Sequence, residues 1–159
     1  MIGGCDPYYP AFFDGKSDKQ AFTEYFEAVL AALEVCSDFD VFGHLDYIVR
    51  YSPRKAANYS YAAYRELIDA VLKKLICMGK GLEVNTCGYR AGLGFPNPCQ
   101  EILIRYRELG GEILTVGSDA HAAKDIGLYF TEVEKLLSAC GCRYYTVFDR
   151  RKPCYLNIS

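Results

Sequence analysis

The chain has 159 residues, room for one ordinary domain and too little for two. It is 51% hydrophobic and 24% charged, so it can bury a core, while a net charge of -2 and a pI near 5.7 exclude a general nucleic-acid binder that works by neutralising phosphates. No apolar stretch approaches the roughly 18 residues that a membrane span needs. Residues 1–7 lack the basic head and apolar centre of a secretory signal, so a cytoplasmic protein is expected, with neither nucleic acid nor membrane as partner.

The first element is a predicted helix over 17–34, where Phe22, Tyr25, Phe26, Val29, Leu30 and Leu33 recur at spacings of three and four behind a Ser17/Gln20 capping box. A short strand follows at 40–44. After the Ser52-Pro53 loop a second helix is predicted over 59–78, with Tyr61, Tyr64, Leu67, Ile68, Val71, Leu72 and Leu75 inward, stopped by Gly79 and Gly81. A strand at 82–85 leads into a glycine-rich loop, 86–96. Asn97-Pro98 with Gln100 predicts a helix start with Asn97 as its cap, running to about residue 109. Strand 112–117, the turn 118–121, helix 131–140 and strand 143–148 complete the order, with an extended segment at 152–157. Strict alternation of helix and strand predicts right-handed βαβ units on a parallel sheet, an α/β fold. The number of strands is about half that of a closed barrel.

Eight cysteines invite a disulfide or zinc framework, but none is arranged Cys-x-x-Cys and the one close pair is Cys140-Gly141-Cys142. With two histidines in the chain, a separate Cys/His zinc module is hard to assemble, and the thiols are expected to be reduced.

Reactive groups in parallel α/β folds collect at the carboxyl ends of the strands. Here those ends carry Gly43-His44-Leu45-Asp46, then Glu83 and Asn85 with Arg90 beyond, then Ser118-Asp119-Ala120-His121. Both histidines therefore fall at one edge of the sheet. Imidazole and carboxylate two residues apart can reach one metal or two adjacent ones, which makes His44, Asp119 and His121 candidate ligands. Glu83 in a buried strand needs a partner, and it either orients a ligand or pairs with a core arginine. Arg90 has the fork geometry for a phosphate, against the plain reading of a solvated loop arginine. Asp46 either orients His44 or caps the following loop. No Gly-x-Ser-x-Gly elbow, Walker loop or Gly-x-Gly-x-x-Gly occurs, so a hydrolytic metal site is the best chemical reading.

The segments 39–46, 82–90, 96–99 and 113–121, with 6–17 and 141–148, resemble histidinol-phosphatases of the polymerase-and-histidinol-phosphatase (PHP) superfamily. The resemblance implies the C-terminal portion of a distorted (β/α)7 barrel, here one domain over 1–159, with divalent metal ions (zinc, iron or manganese) at the strand ends. It implies hydrolysis of L-histidinol phosphate to L-histidinol and phosphate in histidine biosynthesis. Carried over motif by motif, His44, Asp119 and His121 are metal ligands, Asp119 and His121 also the catalytic pair, and Arg90, Asn85 and Glu83 line the substrate pocket. The family's first strand carries His-x-His and further ligands ahead of the matching part, so the chain reads as a truncated barrel that self-associates or joins a missing N-terminal half. A related phosphoesterase with another substrate, a non-catalytic half-barrel that binds a partner or itself, and a cysteine-based metal module are the alternatives.

Overall fold

Ser17 opens the first helix by accepting the Gln20 N–H while the Gln20 side chain accepts from Ser17, and the helix (α1, Asp18–Val35) runs on from this closed capping box. In the computed structural model, which describes residues 5–158, the expected order recurs with two changes. The reading of residues 1–7 falls partly outside the described residues.

Strand β1 (Val41–Phe42) is followed by 3-10 turns, and helix α2 (Arg65–Cys77) leads to strand β2 (Gly81–Asn85). The second helix is shorter than expected because residues 61–64 form a 3-10 turn capped by the Ser60 side chain. The glycine-rich loop contains one short helix, α3 (Cys87–Arg90). Helix α4 (Gln100–Glu108), strand β3 (Leu114–Gly117), helix α5 (Phe130–Ala139) and strands β4 (Tyr144–Asp149) and β5 (Lys152–Asn157) follow. Strands β1, β2 and β3 form a parallel sheet in that order, in register Phe42↔Leu82↔Leu114.

The last strand pair corrects the expectation of uniform parallel alternation. β4 pairs antiparallel with β5 as a separate two-stranded sheet, not with β3. The cause is the connection: Arg150 and Arg151 both adopt left-handed backbone (φ 48° and 65°), a two-residue turn whose twist suits a hairpin. Arg151 at its tip then reaches Asp40 (2.8 Å) and Asp38 (2.9 Å), the residues leading into β1, so the hairpin arches back towards the far edge of the sheet.

The core is one cluster. Phe22, Phe26 and Leu33 of α1 and Ile68, Leu72 and Leu75 of α2 are buried together with Leu82 of β2 and Ile102 and Leu103 of α4. On the rim of this core the Arg105 guanidinium of α4 holds Asp69 of α2 (2.8 Å), which also accepts from the Tyr61 hydroxyl (2.6 Å). Burial pushes the Asp69 carboxyl up, but the hydrogen bonds from Arg105 and Tyr61 outweigh it and hold the pKa below its usual 3.8. A depressed carboxylate contributes stability that is present above its unfolded value and lost as pH falls through the folded one. Asp69→Asn is therefore expected to lower the Tm at pH 7, with the gap to wild type closing on acidification below pH 3.8; a gap independent of pH contradicts this.

Candidate functional site at the strand ends

Two strands of the parallel sheet end in the same backbone distortion. His44, just beyond β1, and Asp119, just beyond β3, both have left-handed φ (32° and 49°), which turns each side chain away from the run of its strand. Between them, on β2, lies Glu83, flanked by Gly43 and Gly117, of which the second has a steric reason to be glycine. A Cβ at Gly117 would overlap Glu83 Oε1, and one at Gly43 would sit 3.4 Å from Oε2. Glu83 accepts from Asn85 Nδ2 at 3.2 Å, so it pairs with an amide and not with an arginine.

Under this row runs a buried polar chain that the sequence reading did not foresee. Arg50 closes the 3-10 turn Tyr47–Arg50 after His44, and its side chain is 3% exposed. Its Nε donates to Asn97 Oδ1 at 2.6 Å and its Nη1 to Asp119 Oδ2 at 3.1 Å, while Nη2 is buried with no partner. Asn97 in turn donates to Asp46 Oδ1 at 2.6 Å, and Asp46 Oδ2 accepts from the Cys99 N–H and the Tyr59 hydroxyl, both at 3.0 Å. Asp46 therefore fastens the start of α4 and does not orient His44. Asn97 is wholly buried in this chain and bridged by its backbone to Asn85, so it is not the helix cap expected; Cys99 holds that position.

The candidate residues separate into two groups. His44 is largely buried against Tyr47 (ring centroids 5.0 Å apart), and its Nδ1 has no hydrogen-bond partner. Burial lowers its pKa below 6.5 and the Arg50 charge lowers it further, with Glu83 and Asp119 pulling the other way, so the imidazole is neutral at pH 7. His121 is 80% exposed, and its Nδ1 lies 2.8 Å from the Asp119 carbonyl. That carbonyl can only accept, so Nδ1 is the donor in this contact and Nε2 is the ring nitrogen left for another partner. Asn85 is occupied structurally, accepting the Cys87 N–H at 2.9 Å through Oδ1. Arg90 ties the loop down: Nη2 donates to the Asp119 carbonyl (2.8 Å) and to Cys87 Sγ (3.1 Å), and Nη1 pairs with Asp125 (3.1 Å).

A neutral imidazole with an orphan nitrogen, a carboxylate and a second imidazole are the donor types a divalent metal takes. Among the described residues, however, no three His, Cys, Asp or Glu side chains stand together in an arrangement that could hold a metal ion. The described residues thus offer donors without completing a coordination sphere. The eight thiols are all free, Cys99 and Cys142 buried and raised in pKa by that burial. No helix among the described residues is long and apolar enough to cross a membrane.

The PHP domain family model matches residues 3–87, which takes in β1, β2 and His44. The chain belongs to the PHP domain family. It is 32% identical over 146 residues to a probable histidinol-phosphatase of Clostridium acetobutylicum, covering 90% of this chain and 56% of that one. It is 37% identical over 128 residues to a probable histidinol-phosphatase of Thermotoga maritima, covering 80% and 52%. The crystal structure of the Lactococcus lactis histidinol phosphate phosphatase, complexed with zinc, L-histidinol and phosphate, superposes with a TM-score of 0.83 at 28% identity, over 97% of this chain and 59% of that one. The chain spans about half the length of the curated relatives it matches.

Two substitutions probe this geometry. Asp46→Asn turns one of the two accepting oxygens into a donor, set against one or two of the three groups that donate to Asp46, and is expected to cost about 3 kcal/mol in denaturant unfolding; a change under about 1 kcal/mol contradicts the network. Gly117→Ala is expected to destabilise the wild-type chain more than it destabilises a Glu83→Ala background, because the overlap is with the Glu83 carboxylate. Equal costs in the two backgrounds contradict the steric account.

Proposed function

We propose that this chain is the C-terminal portion of a PHP phosphomonoesterase, one domain forming part of a (β/α) barrel, that hydrolyses L-histidinol phosphate to L-histidinol and phosphate in histidine biosynthesis. The observation that carries the reading is the meeting of Arg50, Arg90, Asp119 and His44 at the carboxyl ends of parallel strands. The names of the relatives and the ligands of the Lactococcus structure support it.

Arg50 presents a desolvated Nη2 with a hydrogen to donate, and a phosphate oxygen is the acceptor that matches it best. Arg90 adds a second guanidinium beside the Asp119 backbone and positions the loop that bears Asp119 and His121. His121 Nε2 is the atom free to take a proton or a metal. His44, Asp119 and His121 are the proposed contributors to a divalent metal site; a zinc, iron or manganese ion held there would supply hydroxide near neutral pH and balance charge on the phosphate. Glu83 and Asn85 are the further residues proposed to line the substrate pocket, held together by the Asn85 Nδ2–Glu83 hydrogen bond.

The test is phosphate release from L-histidinol phosphate with added zinc, alongside elemental analysis of protein purified without chelator. About one metal or more per chain, lost in Asp119→Ala/His121→Ala, and a loss in kcat/KM on the order of a hundredfold in Arg50→Met are expected. Absence of both turnover and bound metal contradicts the reading.

A specific observation favours a second role, association with another chain or copy. A groove of about 440 Å³ opens between β3, α5 and the hairpin, lined by Val116, Val133, Leu137, Tyr145 and Val147. Phe130, Val147, Tyr155 and Leu156 are also exposed. Light scattering is expected to give a mass above that of one chain, and Val147→Glu to lower it; a monomer at all concentrations contradicts self-association through this groove.

A further inference from the structure

A row of aromatic rings leads from the buried end of the site to the surface. His44 lies against Tyr47, Tyr47 against Tyr51 and Tyr51 against Tyr8, in centroid steps of 5.0, 5.4 and 5.2 Å, and Tyr9 stands edge-on to Tyr8. The inner rings have core duties, since Tyr47 also meets Tyr25. The outer ones do not: Tyr8 and Tyr9 are each 58% exposed, more than core packing allows.

Tyr8 is nevertheless held in place. Asp6 Oδ1 accepts both the Tyr8 N–H and the Tyr47 hydroxyl, each at 2.8 Å, which pins the N-terminal strap to the turn after β1. Tyr51 joins this strap to the phosphate end. Tyr51 is the residue after Arg50, and its phenol is raised by burial and lowered by the Arg50 charge. Its ring meets Tyr8 at an interplanar angle of 64°, and Tyr8 meets Tyr9 at 89°. No ring in this outer stretch is stacked face to face on another, so flat apolar faces remain for a planar guest. The Asp6 carboxylate, held below its usual range by the Tyr8 N–H and the Tyr47 hydroxyl, sets a negative charge beside them.

We propose that Tyr8 and Tyr51 form the wall that receives the planar, partly cationic ring of a phosphomonoester's alcohol part while Arg50 and Arg90 hold its phosphate. The inference rests on the phosphatase reading and narrows it: the strand ends recognise the phosphate, and the tyrosine row selects an imidazole-bearing ester over an aliphatic one. Tyr8 acts in specificity and touches no reacting atom.

The test compares two ligands that share an amine and a phosphate, L-histidinol phosphate and 2-aminoethyl phosphate, by calorimetric titration of the full chain. The wild type is expected to bind the first about fivefold more tightly, the size of one aromatic contact. Tyr8→Ala should bring that ratio towards one, and Tyr8→Phe, which keeps the ring, should preserve it. A ratio unchanged by Tyr8→Ala, or no preference in the wild type, overturns the wall and leaves the phosphatase reading standing. Binding of neither compound overturns that reading and the wall with it.

Discussion

A buried guanidinium needs a counter-charge, and the strand-end site is arranged around that need. Arg50 is withdrawn from water into the interior between β1 and β3, where an unpaired cation would cost several kcal/mol. Asp119 supplies the charge and Asn97 a neutral acceptor, and Asn97 can face Arg50 only because Asp46 accepts its amide from the other side. One side chain thus links the turn after β1, the entry to α4 and the loop after β3. Its third nitrogen is buried without a hydrogen-bond partner, and the proposed anion site rests on that unused donor.

The same constraint explains the backbone. For Asp119 to meet Arg50 it must leave the line of β3 at once, which its left-handed conformation achieves, and His44 leaves β1 in the same way. Glu83, coming up between them on β2, occupies the space that a Cβ at 117 would need, so glycine ends β3. Strain and small residues here follow from three side chains sharing the mouth of a three-stranded sheet.

Local signals in the sequence were legible where local forces decide. The Ser17/Gln20 box and the apolar stripe behind it specify α1, and the helix and strand order through β3 follows from periodicity and glycine stops. Legibility failed where a distant group decides. Asn97-Pro98 has the form of a helix cap, yet Asp46 and Arg50 draw the Asn97 side chain into the interior. Arg150-Arg151 carries neither glycine nor asparagine, so nothing marked it as a hairpin turn; Asp38 and Asp40 anchor it from across the sheet. Among site residues, the strand-end positions of His44, Asp119 and Arg90 were readable from motif spacing. Arg50 was hidden between Val49 and Tyr51; its one signal was a charge inside the otherwise uncharged run 47–51.

The most direct measurement of the central claim is nitrogen-15 NMR of the arginine side chains during titration with inorganic phosphate. Saturable shifts at Arg50 and Arg90, with Arg107 and Arg143 unmoved, are the expected result. Shifts confined to Arg107 and Arg143, which line a separate cavity at the opposite end of β3, or no saturable shift at all, would contradict an anion site built around Arg50.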